Sequence, residues 1–295
     1  MQMLETIRRK IESAKDLHSV VKTMKALAAV NIHTYEKAVR AINFYFQNIE
    51  AAFQVVLKET PDIFKTVSAE EDYPVGIIVF GAQRGMAGNF NLPIANKLDT
   101  WQKNIGLKDK VPPVVCIVGD RISEQLKDLG IVADYYLDFP SFRYHLDGTI
   151  QEILLIIEEW RFQKKASSIH LFYNRPTSGS SFTPNHSQLY PLNHEWLQEL
   201  STRKWDSRSI PMHTIPAGDL FNQIIQQYLY ISLYKAFIET MASENASRLI
   251  AMRKAEQNIE EKLEDLDSQF NKQRQDSITE ELLDIVAGFE ALTKE

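Results

Sequence analysis

Cysteine is almost missing: a single Cys116 in 295 residues excludes a disulfide framework and any multi-cysteine metal site, and fits a reducing compartment. Within the run Val114 to Val118 it reads as a buried strand thiol. Glycine and proline are scarce, eleven of each, so long uninterrupted elements are expected where both are absent. Residues 1–60 contain neither. No apolar run approaches the roughly 18–20 residues that span a bilayer, and the opening Met1-Gln2-Met3-Leu4-Glu5 lacks a signal-peptide pattern. The expectation is a cytoplasmic chain unless a partner places it elsewhere. A net charge of -6 is too mild to dictate a partner by bulk attraction. With 44% hydrophobic and 24% charged residues the composition is that of a folded globular protein, which excludes disorder and collagen.

What is present in abundance is helical periodicity. Alternating steps of three and four from Leu4 give Ile7, Ile11, Ala14, His18, Val21, Lys25, Ala28, Ile32, Tyr35, Val39, Ile42, Phe46, Ile49, Phe53 and Val56. Only His18 and Lys25 break the apolar line. A 3.5-residue period held this long predicts one strand of a coiled coil, because the seam must keep facing another helix. At 1.5 Å per residue a helix over residues 1–60 is about 80–90 Å long, more than a compact domain of this size buries, so it is expected to protrude.

The far end mirrors this. After Pro216 no proline follows, and beyond Asp219, the predicted cap, Gly288 is the sole glycine. Steps of four and three from Ile224 give Tyr228, Ile231, Lys235, Ile238, Ala242, Asn245, Leu249, Met252, Glu256, Ile259, Leu263, Leu266 and Phe270. Past Phe270 the register fails and resumes at Ile278, Leu282, Ile285, Phe289 and Leu292, a stutter that unwinds a coiled coil locally. Pairing the two terminal helices antiparallel, with equal rise, exhausts the first where the second reaches about residue 277. Residues 278–292 are then expected to continue singly, apolar over most of their circumference, and to need an apolar sleeve from another protein.

Between the helices the composition changes. The runs Val75 to Phe80, Val114 to Val118, Ile131 to Phe139, Ile169 to Tyr173 and Ser187 to Leu192 read as strands. Leu92 to Ile105, Ile122 to Leu129 and Thr149 to Gln163 carry helical spacing. The predicted fold class is therefore α/β: a long antiparallel coiled coil of N- and C-terminal helices plus a central, Rossmann-like α/β domain with a mostly parallel sheet. Residues 1–60 form the first helix, 73–215 the central domain and 216–295 the second helix. Residues 61–72, with Pro61 and the acidic Glu70-Glu71-Asp72, read as a linker. There is no repeat and no low-complexity tract.

Catalytic chemistry finds little support. Gly81, Gly85 and Gly88 in GAQRGMAGNFN follow a strand and precede a helix, where phosphate-cradling loops sit. The spacing is neither G-x-G-x-x-G nor G-x-x-x-x-G-K-[ST], which favours a structural turn with Arg84 in local or partner contacts. His18, His33, His145, His170, His186, His194 and His213 form no two-histidine helical pair and have no carboxylate at metal spacing, so no metal site is expected. Ser180 lies in GSS, not G-x-S-x-G. No catalytic residue, cofactor site or metal ligand is predicted.

Charge is informative by segment. Arg8, Arg9, Lys10, Lys15, Lys22 and Lys25 crowd one stretch, while Glu256, Glu260, Glu261, Glu264, Asp265 and Asp267 make the second helix acidic. This reads either as coiled-coil flanks pairing opposite signs or as a basic collar for an acidic partner. Nucleic acid is disfavoured, since no aromatics interleave and the facing helix is acidic. His18 and Lys25 on the seam either snorkel and set register or mark where the shaft faces a partner.

Several segments resemble the gamma subunit of F-type ATP synthases. FNKQRQDSITEELLDIVAGFEAL from Phe270 is similar to that family's last helix, through Asn271-Lys272, Arg274-Gln275, Ile278-Thr279, Glu281-Leu282 and Ile285-Val286. Ser243-Glu244-Asn245-Ala246-Ser247-Arg248 with Ala251-Met252, Ala255 and Asn258 resembles its S-E-x-A-x-R-x-x-A-M segment. Ile7-Arg8-Arg9-Lys10-Ile11 and Lys22-Thr23-Met24-Lys25-Ala26-Leu27-Ala28-Ala29 resemble its first helix. The family's T-D-R-G-L-C-G-G-x-N appears as Ala82-Gln83-Arg84-Gly85-Met86-Ala87-Gly88-Asn89-Phe90-Asn91, keeping Arg84, Gly85, Gly88 and Asn91. The departures there resemble a divergent branch such as the alternate F-type ATPases of some bacteria and archaea. The lack of paired cysteines sets the chain apart from the thiol-regulated chloroplast form.

The resemblance implies a non-catalytic rotor whose coiled coil stands inside a hexamer of alpha and beta subunits. Its central domain would sit on the membrane c-ring with the epsilon subunit, so that the membrane is met only through the complex. It implies a peripheral place on the cytoplasmic face of a prokaryotic plasma membrane. Arg274, Gln275, Thr279 and Glu281 would meet beta-subunit catch loops and Arg248 would lie lower on the shaft. Met24 would face the hexamer beside an acidic lever, with Arg8, Arg9 and Lys25 in the basic collar. The rivals are a coiled-coil adaptor, which needs no special tip chemistry, and a nucleotide-binding α/β enzyme, which needs a phosphate cradle.

Overall fold

The computed structural model describes residues 2–61, 63, 73–106, 111–140, 146–177, 181–205, 208–209 and 211–293. The element order is α1 (Gln2–Glu59), β1 (Val75–Phe80), α2 (Leu92–Asn104), β2 (Val114–Val118), α3 (Ser123–Asp128), β3 (Tyr135–Leu137), α4 (Leu146–Phe162), β4 (Ser168–Pro176), β5 (Phe182–Tyr190), α5 (His194–Thr202) and α6 (Ala217–Thr293). Two compact units result, residues 29–248 and residues 1–28 with 249–295, each containing part of both long helices.

In the unit of residues 29–248 the sheet runs β3-β2-β1-β4-β5. The first four strands are parallel and β5 returns antiparallel to β4. Strands covered on both faces read as continuous apolar runs, which is why VGIIVF and VVCIV were visible in the sequence. Ile78, Phe80, Cys116, Val118, Ile169, Leu171 and Tyr173 face one layer: α4 with Ile42–Leu57 of α1 and Phe221–Met241 of α6. Ile77, Val79, Val115, Ile117 and Phe172 face the other, made by α2 and α3. Trp160 of α4 is fully buried against β1, and the absence of a side chain at Gly76 makes room for it.

The predicted edges need correction. The third strand is only Tyr135–Leu137, β4 extends beyond its apolar centre to Ser168–Pro176, and β5 spans Phe182–Tyr190 instead of Ser187 to Leu192. A strand at the sheet edge pairs on one side only, so β5 tolerates Thr183, Asn185, Ser187 and Gln188 and carries a weak apolar signal. Helix α5 went unpredicted. Its signal is the cap Asn193, whose Oδ1 accepts from Glu195 N at 2.7 Å and Trp196 N at 3.2 Å, followed by buried Leu197 and Leu200. Asp219 lies inside the first turn of α6, not at the cap. The predicted linker lies mostly outside the described residues, as do Ser180 and His145.

In the other unit, α1 and α6 run antiparallel. Ile7 and Ile11 pack with Leu266, Leu263 and Phe270, and nearer the middle of the chain Lys25 pairs with Glu256. Every predicted seam position of α1 between Leu4 and Ala28 is buried or half-buried, while the positions between are exposed except Met24. Beyond Phe270 the burial ends: from Arg274 to Ala287 each described residue is exposed but Ser277. The stutter near residue 275 therefore marks the end of pairing. The helix itself continues unbroken to Thr293.

Candidate functional site

The glycine-rich loop after β1 meets α6 inside the 29–248 unit. Gly81 N still bonds to Val118 O at 2.8 Å, and the loop then turns through Met86 and Gly88, both left-handed with φ 59° and 60°. Backbone amides of Gln83 and Arg84 point at Glu244 of α6 and donate to its carboxylate at 3.0 and 3.1 Å. Arg248, one turn further, pairs with Glu244 and donates to the carbonyls of Arg84 and Gly85 at 3.4 and 3.5 Å. Ser247 Oγ donates to Ala87 O at 2.6 Å. Ser243 Oγ donates to Asn174 O, and the Asn174 amide reaches Phe90 O at 2.9 Å. Asn91 Oδ1 accepts from Ala82 N at 2.9 Å and closes the loop on itself.

This arrangement decides between rivals. In dinucleotide-binding folds the loop after the first strand offers amides to a phosphate. Here an internal carboxylate occupies that position, and an arginine neutralises it. The side chains of Glu244 and Arg248 are 3% and 10% exposed, so the pair is held in a low-dielectric setting, with loop backbone groups and the Asn245 side chain as further hydrogen-bond partners. The adjoining cleft of about 650 Å³ is lined by Gln83, Arg84, Asp120, Arg121, Glu124 and Asp138. Its acids outnumber its arginines, which does not suit a polyphosphate.

Arg248 is thus an internal strut of this chain, not the outward contact expected of it. Arg84 keeps its side chain exposed while its backbone is held, Gly85 has open space around it, and Asn91 serves the loop.

The remaining predicted site residues lie in the other unit. Arg8 and Arg9 are about three-quarters exposed and reach along their own helix, to Glu12 at 3.7 Å and Glu5 at 2.8 Å. Lys25, one of the two seam breakers, is bound to Glu256 of the facing helix, whose acidity its ammonium strengthens. Arg274, Gln275, Thr279 and Glu281 are exposed, with Thr279 Oγ1 bonded to Gln275 O at 2.9 Å. Just beyond this polar band Ile278, Leu282, Leu283, Ile285 and Val286 are 47–69% exposed. The side chains of Phe289 and Leu292 fall outside the described residues.

Two features escaped the sequence reading. Leu17, Val20, Met24 and Leu27 make a second three-four stripe on α1, one residue ahead of the seam; Leu17, Val20 and Leu27 are 50–59% exposed. The stripe was legible in principle, but the stronger seam hid it. The other is a correction: His18 does meet carboxylates, those of Glu256 and Glu260, with ligand atoms within 4.8 Å of one another. Their separation in sequence concealed them.

Burial shifts several groups within the sheet unit. His170, bonded to His186 at 3.0 Å and to Ser168 at 3.0 Å, is pushed down to about 3 by burial and then by His186. His186, stacked on Phe172 at 4.6 Å, is lowered by burial and Lys97. Cys116 is a buried strand thiol as expected, raised to about 12 by burial and then Glu152.

The profile of the family described as ATP synthase matches residues 3–292. The ATP synthase gamma chain of Syntrophus aciditrophicus is 26% identical over 304 aligned positions covering 100% of both chains. That of Glaesserella parasuis is 27% identical, covering 97% of this chain and 98% of the relative. Among solved structures, a chain of the Euglena gracilis mitochondrial ATP synthase, a structure containing OSCP, F1 and c-ring, superposes with TM-score 0.61 at 18% identity, covering 99% of this chain and 95% of that one. A chain of the Tetrahymena thermophila central stalk and c-ring structure gives TM-score 0.55 at 17% identity, covering 80% and 99%.

Proposed function

We propose that this chain, which belongs to the ATP synthase family, is the gamma subunit that turns as the central-stalk rotor and transmits ion-driven rotation to the nucleotide sites of an alpha/beta hexamer. Residues 1–60 and 216–295 form the shaft in this reading, and residues 73–215 the head that meets the epsilon subunit and the c-ring. The chain itself performs no catalysis and works at the cytoplasmic face of a prokaryotic membrane. No described helix is long and apolar enough to cross that membrane, so attachment runs through the c-ring. The observation that carries the reading is the end of α6, where pairing stops, a polar band follows and an apolar helix continues uncovered. Leaving Leu282, Leu283 and Ile285 in water is unfavourable unless a partner sheathes them.

Mechanically, a stiff shaft that meets each beta subunit differently biases each toward an open or a closed state. Rotation and nucleotide affinity are then linked reciprocally, because one free energy couples both. In this reading Arg274, Gln275, Thr279 and Glu281 meet beta-subunit loops, and Arg8, Arg9 and Met24 face the hexamer near its acidic levers, while Lys25 of the same collar is held by Glu256 of the facing helix. Arg84, Gly85 and Gly88 remain available to partners of the head.

Truncation after Ser277 tests the proposal in the reconstituted complex. ATP-driven ion pumping is expected to fall while the isolated chain keeps its sheet unit folded. Unchanged pumping removes the mechanism. Substituting Arg274 and Gln275 together should impair coupling more than substituting the equally exposed Gln257 and Lys262; equal effects would show the band to be ordinary surface. Tight binding of ATP by the isolated chain in equilibrium dialysis would revive the enzyme reading.

A further inference from the structure

We propose that His18, Glu256 and Glu260 form a binding site for a divalent transition metal, Zn²⁺ by its ligand preferences, which ties α1 to α6 in the unit of residues 1–28 and 249–295. The proposal does not depend on the rotor reading. Glu256 and Glu260 stand four residues apart and so share one face of α6. His18 projects from the facing helix, with Nε2 3.3 Å from Glu260 Oε1. All three supply ligand atoms within 4.8 Å of one another; a tetrahedral ion with bonds of about 2.0–2.2 Å holds its ligands roughly 3.3–3.6 Å apart, so rotation of the exposed Glu260 side chain would complete the set.

The donor set chooses the metal. One imidazole nitrogen with two carboxylate oxygens is an N/O set that Zn²⁺ accepts, with a fourth position left to water. Calcium and magnesium prefer all-oxygen shells with more ligands than this site offers. The side chains of His18 and Glu256 are 27% and 16% exposed, so two of the three ligands are partly withdrawn from water before any ion arrives.

The seam supplies a second line of argument. His18, Lys25 and Glu256 interrupt an otherwise apolar contact at neighbouring levels, and polar seam residues lower stability. Lys25 and Glu256 satisfy each other. His18 instead reaches outward to the 59%-exposed Glu260, an arrangement of little worth as a surface pair but of evident use in chelation. Lys25 competes with the ion for Glu256, whose carboxylate has a second oxygen to offer, and Lys22 adds positive potential nearby. Removing Lys25 should therefore tighten metal binding.

The test is a thermal melt of the full chain with ZnCl₂, paired with Co²⁺ absorption spectroscopy. Free Zn²⁺ at about ten times Kd multiplies the folding constant by about eleven, a rise of roughly 6–11 °C in the transition of a unit of this size. His18→Leu puts the preferred residue on the seam, so the metal-free variant should melt no lower than the parent while the Zn²⁺ response and the cobalt d–d bands vanish. Glu260→Gln, at an exposed position, should lose both as well, and Lys25→Met should shift the Zn²⁺ midpoint to lower concentration. A parent melt that ignores Zn²⁺, or a response that survives in His18→Leu, overturns the proposal.

Discussion

Replacing Glu244 by alanine should loosen the loop–helix junction that fills the phosphate position of the sheet unit. The carboxylate accepts two backbone amides, at 3.0 and 3.1 Å, and balances Arg248, whose side chain is 10% exposed. Hydrogen bonds to a charged group contribute roughly 1.5–3 kcal/mol, and breaking one side of a buried ion pair costs about 3–5 kcal/mol because the surviving charge is stranded. Since Arg84 is exposed and water can reach its freed amide, the lower half applies, about 3 kcal/mol for Glu244→Ala. Arg248→Ala should cost a similar amount. The double variant should cost at least 1.5 kcal/mol less than the sum, since removing the second partner strands nothing further. All four tryptophans, Trp101, Trp160, Trp196 and Trp205, belong to this unit, so their fluorescence during guanidinium denaturation reports its unfolding selectively. Costs that add within about 0.5 kcal/mol would mean that the two side chains do not act together, and the self-filled cradle would be refuted.

Acid should destabilise the same unit through His170. Its unfolded value of 6.5 falls to about 3 on folding, so the native state binds fewer protons and stability, full above pH 6.5, drains away toward pH 3. The loss approaches ~4–5 kcal/mol at most, and His170→Gln should flatten the stability–pH slope by about one proton; an unaltered slope contradicts the burial argument. Gly76→Ala would place a methyl 2.6 Å from Trp160 Cε3, an overpacking expected to cost about 1–3 kcal/mol by denaturation midpoint; a neutral result would mean that Trp160 moves freely. Cys116, fully buried and raised to about 12, should react with a thiol reagent only as fast as the unit opens, and faster labelling would disprove its burial.

How much of this was legible follows from the range of the signals involved. The seam from Leu4 to Ala28 and the parallel strands Val75–Phe80 and Val114–Val118 announce themselves because periodicity and apolar runs are local, and burial then respects them. The end of helix pairing near residue 275 was equally readable, as a stutter in one helix matched to the length of the other. Edge strand β5 and helix α5 were not, since nine residues carry little period and β5 pairs on one side only. Side chains that meet across the fold left no local trace. Glu244 stands 160 residues from Arg84, and His18 stands 242 from Glu260, so neither junction has a motif.

That difference bears on what a glycine-rich loop means. The turn after β1 satisfies the backbone requirements of an anion cradle, with left-handed φ at Met86 and Gly88 and two amides converging on one acceptor. What the loop holds is settled by α6, which delivers Glu244 and Arg248 to it. A carboxylate covalently part of the chain has an effective concentration no dissolved nucleotide matches, so a ligand would have to expel a neutralised, nine-tenths buried ion pair to enter. The same contacts that exclude a nucleotide brace α6 against the sheet through Ser243, Glu244, Ser247 and Arg248. In a rotor, a helix that carries torque needs such bracing, and the geometry that would have served catalysis serves stiffness instead.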